Sequence, residues 1–321
     1  MRYFGNYSRL VCVLTVVLAV YSVYTLIHLL TLRSPTVPEE VVDTSINMTQ
    51  FREVRPETPP TVSAEDIFDC LIEKFKDGDS FAAAITWLNL ANIVKNCRQP
   101  ADTSVMAETF VGDEPKFFIP GPTPSFDYTM MTLGIGHNIE AEKKILQKYK
   151  KCSKYVGVDP TKEFNEKLVT DVGGQFMELT VGAKDDVSLA NILNVEGTAY
   201  HWSNVTHTSL QGVIKLANLD KVDLMLIDVE GAEFDILDSF IEPSKNQSTI
   251  CQFNVEIHSP WTNGVRGADI IHTLYRLTKK REFMLFNAEA IQIKHEVFNR
   301  CFFINIKDPY CVQKYYPSFL V

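Results

Sequence analysis

The pattern of apolar and polar positions changes character three times along the chain. Leu10–Leu32 contains no Asp, Glu, Lys or Arg and is bracketed by Arg9 and Arg33. Its 23 residues exceed the roughly 20 that cross a bilayer as a helix. A cleavable signal peptide is the rival reading. Its apolar core usually runs only about 7–15 residues, and no clear small-x-small cleavage site follows here. The pattern therefore predicts an uncleaved signal anchor. Arg2 and Arg9 precede the span, while Glu39, Glu40 and Asp43 follow it. That asymmetry puts the short N-terminus in the cytosol and the rest of the chain in a lumen or outside the cell. From Ser34 to about Thr61 the chain is polar and carries Pro35, Pro38, Pro56, Pro59 and Pro60. Such a segment reads as an extended stem.

A helical texture follows. Ile67, Leu71 and Phe75 recur every four residues, Asp77-Gly78-Asp79 interrupts them, and Ser80 is placed to cap a second helix running through Asn96. Near Tyr128 short apolar runs take over. Tyr128–Leu133 reads as a strand, Gly134-Ile135-Gly136-His137-Asn138 as a turn, and Ile139–Leu146 as a helix. Further strands are expected at Tyr155–Val158, Gln175–Val181, Val222–Asp228 and Gln252–His258, then a helix near 268–278. Two closing strands, Glu282–Asn287 and Arg300–Ile306, suggest a hairpin-like antiparallel finish on a parallel sheet. Leu189–Gly212 is poorly periodic. It reads as a long loop that either covers an acceptor site or is a plain insertion. The expected division is a cytosolic tail at 1–9, the anchor at 10–32, a Pro-rich stem at 33–62, a helical preface at 63–104 and an α/β domain at 105–321.

Composition adds little to this picture, but charge and cysteines add something. The net charge of −9 provides no basic footprint for nucleic acid. Beyond Cys12 in the span lie Cys70, Cys97, Cys152, Cys251, Cys301 and Cys311. An even set facing an oxidising compartment permits disulfides, with fifteen full pairings open. Cys70 with Cys97 is one possible pair, and buried free thiols are the alternative. The absence of a CxxC pair argues against a zinc ribbon. Sequons at Asn47, Asn204 and Asn246 permit a glycoprotein.

Chemistry collects at the predicted strand ends. The glycines of the first turn admit close approach of a ligand to the backbone. Asp159 ends the second strand 25 residues after Gly134, near the spacing of roughly 20 at which an acid meets a ribose. An ordinary Asp-Pro turn is the plain alternative. Asp228 ends a continuous apolar run and is followed by Glu230, Gly231 and Glu233. The two glutamates also suit the start of a helix, and Glu233 leans to that role. Alternation puts Glu256 and His258 on one strand face, where His258 is either functional or a satisfied structural histidine.

Together these residues resemble the FkbM-type S-adenosylmethionine-dependent methyltransferases, within the class I Rossmann-like group. The resemblance is carried by Ile227-Asp228-Val229-Glu230-Gly231-Ala232-Glu233 with Ile236-Leu237. It is supported by Leu133-Gly134-Ile135-Gly136, Val158-Asp159-Pro160, Val181-Gly182-Ala183-Lys184-Asp185 and Val255-Glu256-Ile257-His258. Leu226 stands where a Lys is common, and the first turn lacks a third glycine. The resemblance implies a Rossmann-like seven-stranded, mostly parallel sheet with an antiparallel last strand, and S-adenosylmethionine as cofactor. It implies that Gly134 and Gly136 line the methionine portion, Asp159 binds the ribose, and Gly182 and Ala183 border the adenine. Asp228 would face the methyl group.

His258, Asp228 and Glu230 are the candidate bases for a hydroxyl acceptor. Asp228 and Glu256 carry oxygens of the kind hard cations take, but the expected site includes no metal. The resulting expectation is a membrane-anchored methyltransferase that O-methylates a glycan or another small secretory-pathway acceptor. A non-catalytic binding or scaffold protein that retains the fold is the alternative.

Overall fold

The computed structural model describes residues 63–76, 80–98, 105–122, 126–242, 247–261 and 269–317. The expected cytosolic tail, anchor and stem lie outside them. Among the described residues no helix is long and apolar enough to cross a membrane.

The described residues begin with helices Ala64–Phe75, Ser80–Leu88 and Leu90–Arg98. Ser63 caps the first through a capping box with Asp66, which satisfies two otherwise orphaned amides. The single helix expected from Ser80 to Asn96 is instead two, divided at Asn89. Strands β1 (Glu108–Val111) and β2 (Pro115–Phe118) form a hairpin that the sequence pattern did not reveal.

The main sheet comes next. It is built from β3 (Tyr128–Leu133), β4 (Cys152–Asp159) and β5 (Gln175–Glu178), and then, after three strands of a smaller sheet, from β9 (Lys221–Ile227), β10 (Thr249–Ile257), β11 (Phe283–Ile293) and β12 (Glu296–Asn305). The smaller sheet consists of β6 (Thr180–Gly182), β7 (Asp186–Leu193) and β8 (Tyr200–Ser209).

The seven strands lie in the order β11-β12-β10-β9-β3-β4-β5. The pairs β10–β9, β9–β3, β3–β4 and β4–β5 are parallel, while β12 runs antiparallel to both its neighbours. The last strand is thus the antiparallel one, and it inserts between β10 and β11 as half of a hairpin. From Val222 to Ile227 every β9 residue is buried, as a central parallel strand covered on both faces requires. The exception to its apolar run is Asp223. It accepts from the Thr129 amide at 2.8 Å, the Tyr310 hydroxyl at 3.0 Å and the Lys314 ammonium at 2.8 Å. These partners account for a carboxylate at the start of a core strand.

Two sequence expectations are corrected here. Gln175–Val181 is not one strand: the chain breaks at Leu179, β5 closes the main sheet, and β6 joins the smaller one. The expected loop at 189–212 is mostly ordered. It contributes to a β7–β8 hairpin registered from Asp186 against His207 to Leu193 against Tyr200, and then starts the helix Leu210–Leu216. Both hairpin strands are largely half-exposed or exposed on both faces, so no apolar alternation marked them.

Cys70 pairs with Cys97 and Cys251 with Cys311, whereas Cys152 and Cys301 remain thiols. The second disulfide ties the terminal helix Pro309–Tyr315 to β10 across a sequence separation of 60. Replacing both Cys251 and Cys311 by Ser is expected to lower unfolding free energy by about 2–4 kcal/mol through the freed denatured chain. Urea unfolding of the oxidised wild type and the oxidised double variant checks this, and equal unfolding free energies would overturn it.

Candidate active site

The strand order reverses between β3 and β9, and ligands of open α/β sheets collect at such a point. The strands leave the sheet still tied together there. The Gly134 amide donates to Val158 O and the Asp228 amide to Leu133 O, each at 2.9 Å. Gly134 has φ +82°, and a side chain on it would overlap the Asp228 carbonyl oxygen. Gly136, at φ +56°, has nothing within 4 Å of where a Cβ would stand. The first glycine therefore permits close packing of β3 on β9, and the second leaves open space above the turn.

That space is a cavity of about 360 Å³, within the range of small-molecule sites. Gly134, Gly136, Asp159, Asp228 and Glu230 all line it. Asp159 is buried and organises the turn. Its Oδ2 accepts from the Ile135 amide at 2.8 Å and the Gly136 amide at 3.5 Å, and its Oδ1 accepts from the Thr161 amide at 2.7 Å. Asn165 extends the same frame by accepting from the His137 amide at 3.1 Å. Gly182 and Ala183 do not line this cavity. They border an adjoining one with Ser188, Asp235 and His207, and the residues that reach the main cavity are their neighbours Leu179, Thr180 and Val181. The opposite wall comes from the β7–β8 hairpin, including Leu189, Asn191, Tyr200 and Trp202.

The turn after β9 is built by two left-handed residues, Glu230 at φ +49° and Gly231 at φ +105°. Only glycine adopts the second without strain. The turn sends Asp228 and Glu230 to the cavity wall and Glu233 inward. Glu233 is not a solvated helix-start residue: it is fully buried. Its Oε2 accepts from the Gly231 amide at 2.6 Å, and its Oε1 accepts from the His258 amide at 3.1 Å and from His258 Nδ1 at 3.0 Å.

His258 is buried and does not line the cavity. Its Nε2 lies 3.1 Å from Glu230 Oε2, 3.8 Å from Asp228 Oδ1 and 3.9 Å from Glu256 Oε1. Burial opposes the imidazolium charge, but Glu233, Glu230 and Asp228 outweigh it and hold the ring protonated well above the usual histidine range. Burial and the neighbouring Glu256 push Asp228 up to about 7. Burial, with Glu230 next, also raises the Tyr200 phenol.

Three further charged residues belong to this end of the sheet. Arg300 Nε lies 2.6 Å from both Glu256 Oε2 and Glu114 Oε2, and Lys116 pairs with Glu114. Glu114 and Lys116 reach the site because β2 is fastened to β10. Asn254 and Gln252 each accept and donate one bond to the backbone of Phe117 and Ile119, at 2.7–2.9 Å. Gln252, Asn254, Glu256 and His258 alternate along β10, and that period of two was readable. Their partners, 133 and 137 residues away in the chain, were not.

Comparison with solved structures finds low similarity throughout. An FkbM methyltransferase from Methylobacillus flagellatus KT is 11% identical at a TM-score of 0.40, covering 74% of this chain and 58% of its own. The chain thus spans under two thirds of the length of that relative. TrmK from M. capricolum, solved with S-adenosyl-homocysteine, is 9% identical at a TM-score of 0.30, covering 61% of this chain and 72% of its own. The Mtq2–Trm112 complex from E. cuniculi is 11% identical at 0.28, covering 56% and 85%. No curated protein sequence matches. A family model, the methyltransferase FkbM domain, matches residues 105–284, which is more than half of the chain. Its span takes in the glycine turn, Asp159, the turn after β9 and the Glu256–His258 pair. The chain belongs to the methyltransferase FkbM domain family, and S-adenosylmethionine is the cofactor that membership implies.

Proposed function

We propose that this chain transfers a methyl group from S-adenosylmethionine to a hydroxyl of a small-molecule or glycan acceptor, and that it does so in the lumen or outside the cell, anchored by Leu10–Leu32. The observation that carries the reading is the meeting of the glycine turn, Asp159 and the Asp228–Glu230 pair on one cavity. The residues suit the cofactor: Gly136 leaves the turn open, and each Asp159 oxygen retains acceptor capacity for a ribose hydroxyl. When bound, S-adenosylmethionine supplies a methyl already activated on a sulfonium.

The chain's own task is then to align the acceptor oxygen and take its proton. Asp228 and Glu230 stand at the cavity wall and are better placed for this than His258. An imidazolium held by three carboxylates has no free lone pair to accept a proton, so His258 acts as a positioning residue for Glu230. Asp228, near 7, matches the range in which a general base works at neutral pH. Tyr200 and Trp202 offer exposed aromatic faces at the mouth, of use in packing against an acceptor ring. The two disulfides support the lumenal or extracellular address, because such bonds persist in oxidising compartments.

Calorimetric titration of the full-length chain with S-adenosylmethionine tests the reading. Saturable binding is expected, weakened at least tenfold in Asp159→Ala, which is about 1.4 kcal/mol. No binding at millimolar cofactor would overturn it. Binding without transfer to any hydroxyl acceptor would leave the scaffold alternative in its place.

A further inference from the structure

The end of the sheet beside the cavity carries a charge imbalance that the transfer reading does not use. Glu114, Asp228, Glu230, Glu233 and Glu256 converge there, against Lys116, Arg300 and the His258 imidazolium. Five carboxylates face two permanent cations and one imidazole. Glu114, Glu233, Glu256 and His258 are all more than nine-tenths buried. Clustered buried anions without compensation are costly. Asp228 Oδ1 and Glu114 Oε2 are both shielded from solvent and accept no hydrogen bond; Glu114 Oε2 has the Arg300 guanidinium at 2.6 Å, whereas the nearest cationic group to Asp228 Oδ1 is the His258 ring at 3.8 Å.

We infer that Asp228, Glu230 and His258 form a binding site for one divalent first-row metal ion, open to the cavity, the ion displacing the His258 Nε2 proton into solvent as it binds. One donor atom from each residue lies within 4.8 Å of the other two. The separations from His258 Nε2, 3.1 Å to Glu230 and 3.8 Å to Asp228, match the edges of a coordination shell of roughly 2.0–2.3 Å radius.

The outer partner is in place as well. Glu233 accepts from His258 Nδ1, which presents Nε2 inward, and this carboxylate–histidine pairing is the usual support of a metal-ligating imidazole. A donor set of one imidazole nitrogen and several carboxylate oxygens suits Mn²⁺ or Zn²⁺ better than the all-oxygen cations. The inference rests on the methyltransferase reading only for the ion's use, which is to ligate and acidify an acceptor hydroxyl.

The test is titration of the chelator-stripped full-length chain with MnCl₂, followed by electron paramagnetic resonance. One Mn²⁺ per chain is expected, with hyperfine coupling to a single imidazole nitrogen. His258→Gln should abolish the coupling, and Asp228→Asn should weaken binding at least tenfold. Glu233→Gln, which touches no ion, should weaken it about 10- to 100-fold. Should His258→Gln fail to fold, Glu230→Gln at the accessible cavity wall is expected to weaken binding at least tenfold with its melting temperature retained. Absence of saturable Mn²⁺ binding, or binding indifferent to Asp228→Asn and Glu230→Gln, would overturn the site whether or not S-adenosylmethionine binds. An intact Mn²⁺ site in a chain that does not bind S-adenosylmethionine would instead overturn the methyltransferase reading alone.

Discussion

Gly134→Ala is expected to lose most of the domain's stability, whereas Gly136→Ala is expected to lose cofactor affinity and little else. Both glycines sit in the left-handed region, where an L-residue costs roughly 1–2 kcal/mol. They differ in what a methyl group would meet. At Gly134 it meets the carbonyl oxygen of Asp228, a backbone atom that cannot swing away. Relief requires β3 and β9 to part, and the bond from Asp228 N to Leu133 O goes with them. Overlap, strain and lost bonds together put the cost at about 4 kcal/mol or more, in the class of severe core lesions. At Gly136 the methyl enters open cavity, so only the conformational cost applies. Urea unfolding and S-adenosylmethionine titration of both variants separate the effects. Equal stability losses in the two would show that the contact between the Gly134 turn and β9 is not what holds this end of the sheet.

The second large effect is expected at Glu233. Glu233→Ala removes a fully buried carboxylate that receives the Gly231 amide, the His258 amide and His258 Nδ1. It leaves two orphaned amides and an imidazolium facing an empty volume. Breaking a buried charge pair from one side costs about 3–5 kcal/mol. Glu233→Gln keeps the shape, can still accept from His258, and should cost less. The two variants also differ in pH dependence when the protein is metal-free. The folded-state pKa of His258 is raised. The stability this group contributes is therefore fully present below its unfolded value of about 6.5 and is lost as pH rises through the folded value. That slope should flatten in Glu233→Gln, where the largest attraction on the ring is gone. An unchanged slope above pH 6.5 would mean that other groups hold the imidazolium.

The contrast between these sites shows what was legible beforehand. Gly134, Asp159 and Asp228 could be read because each ends a buried parallel strand, and such strands announce themselves as continuous apolar runs cut off by a turn residue. Glu256 and His258 could be placed on one face because a strand's side chains alternate. Glu233 does open a helix, Glu233–Ser239, as expected, but its burial could not be read, because the first turn of a helix favours a carboxylate in solvent as readily as one in the core. Only packing against His258, 25 residues on, decides between them.

The sequence by itself determined the α/β alternation, the buried apolar strand that ends at Asp228, the glycine turn and the order in which acids arrive at the strand ends. These are local or periodic properties, governed by backbone geometry and burial within one element. The tertiary structure alone decided which acids are buried, which imidazole nitrogen is presented, and which distant groups share the site. Glu114 and Arg300 meet across 186 residues because amide side chains on β10 fasten β2 beside it, and Cys251 finds Cys311 because the terminal helix folds back on the sheet. Charge balance, hydrogen-bond satisfaction and hence the chemistry of Asp228 depend on those long-range neighbours, and no pattern within a single element encodes them.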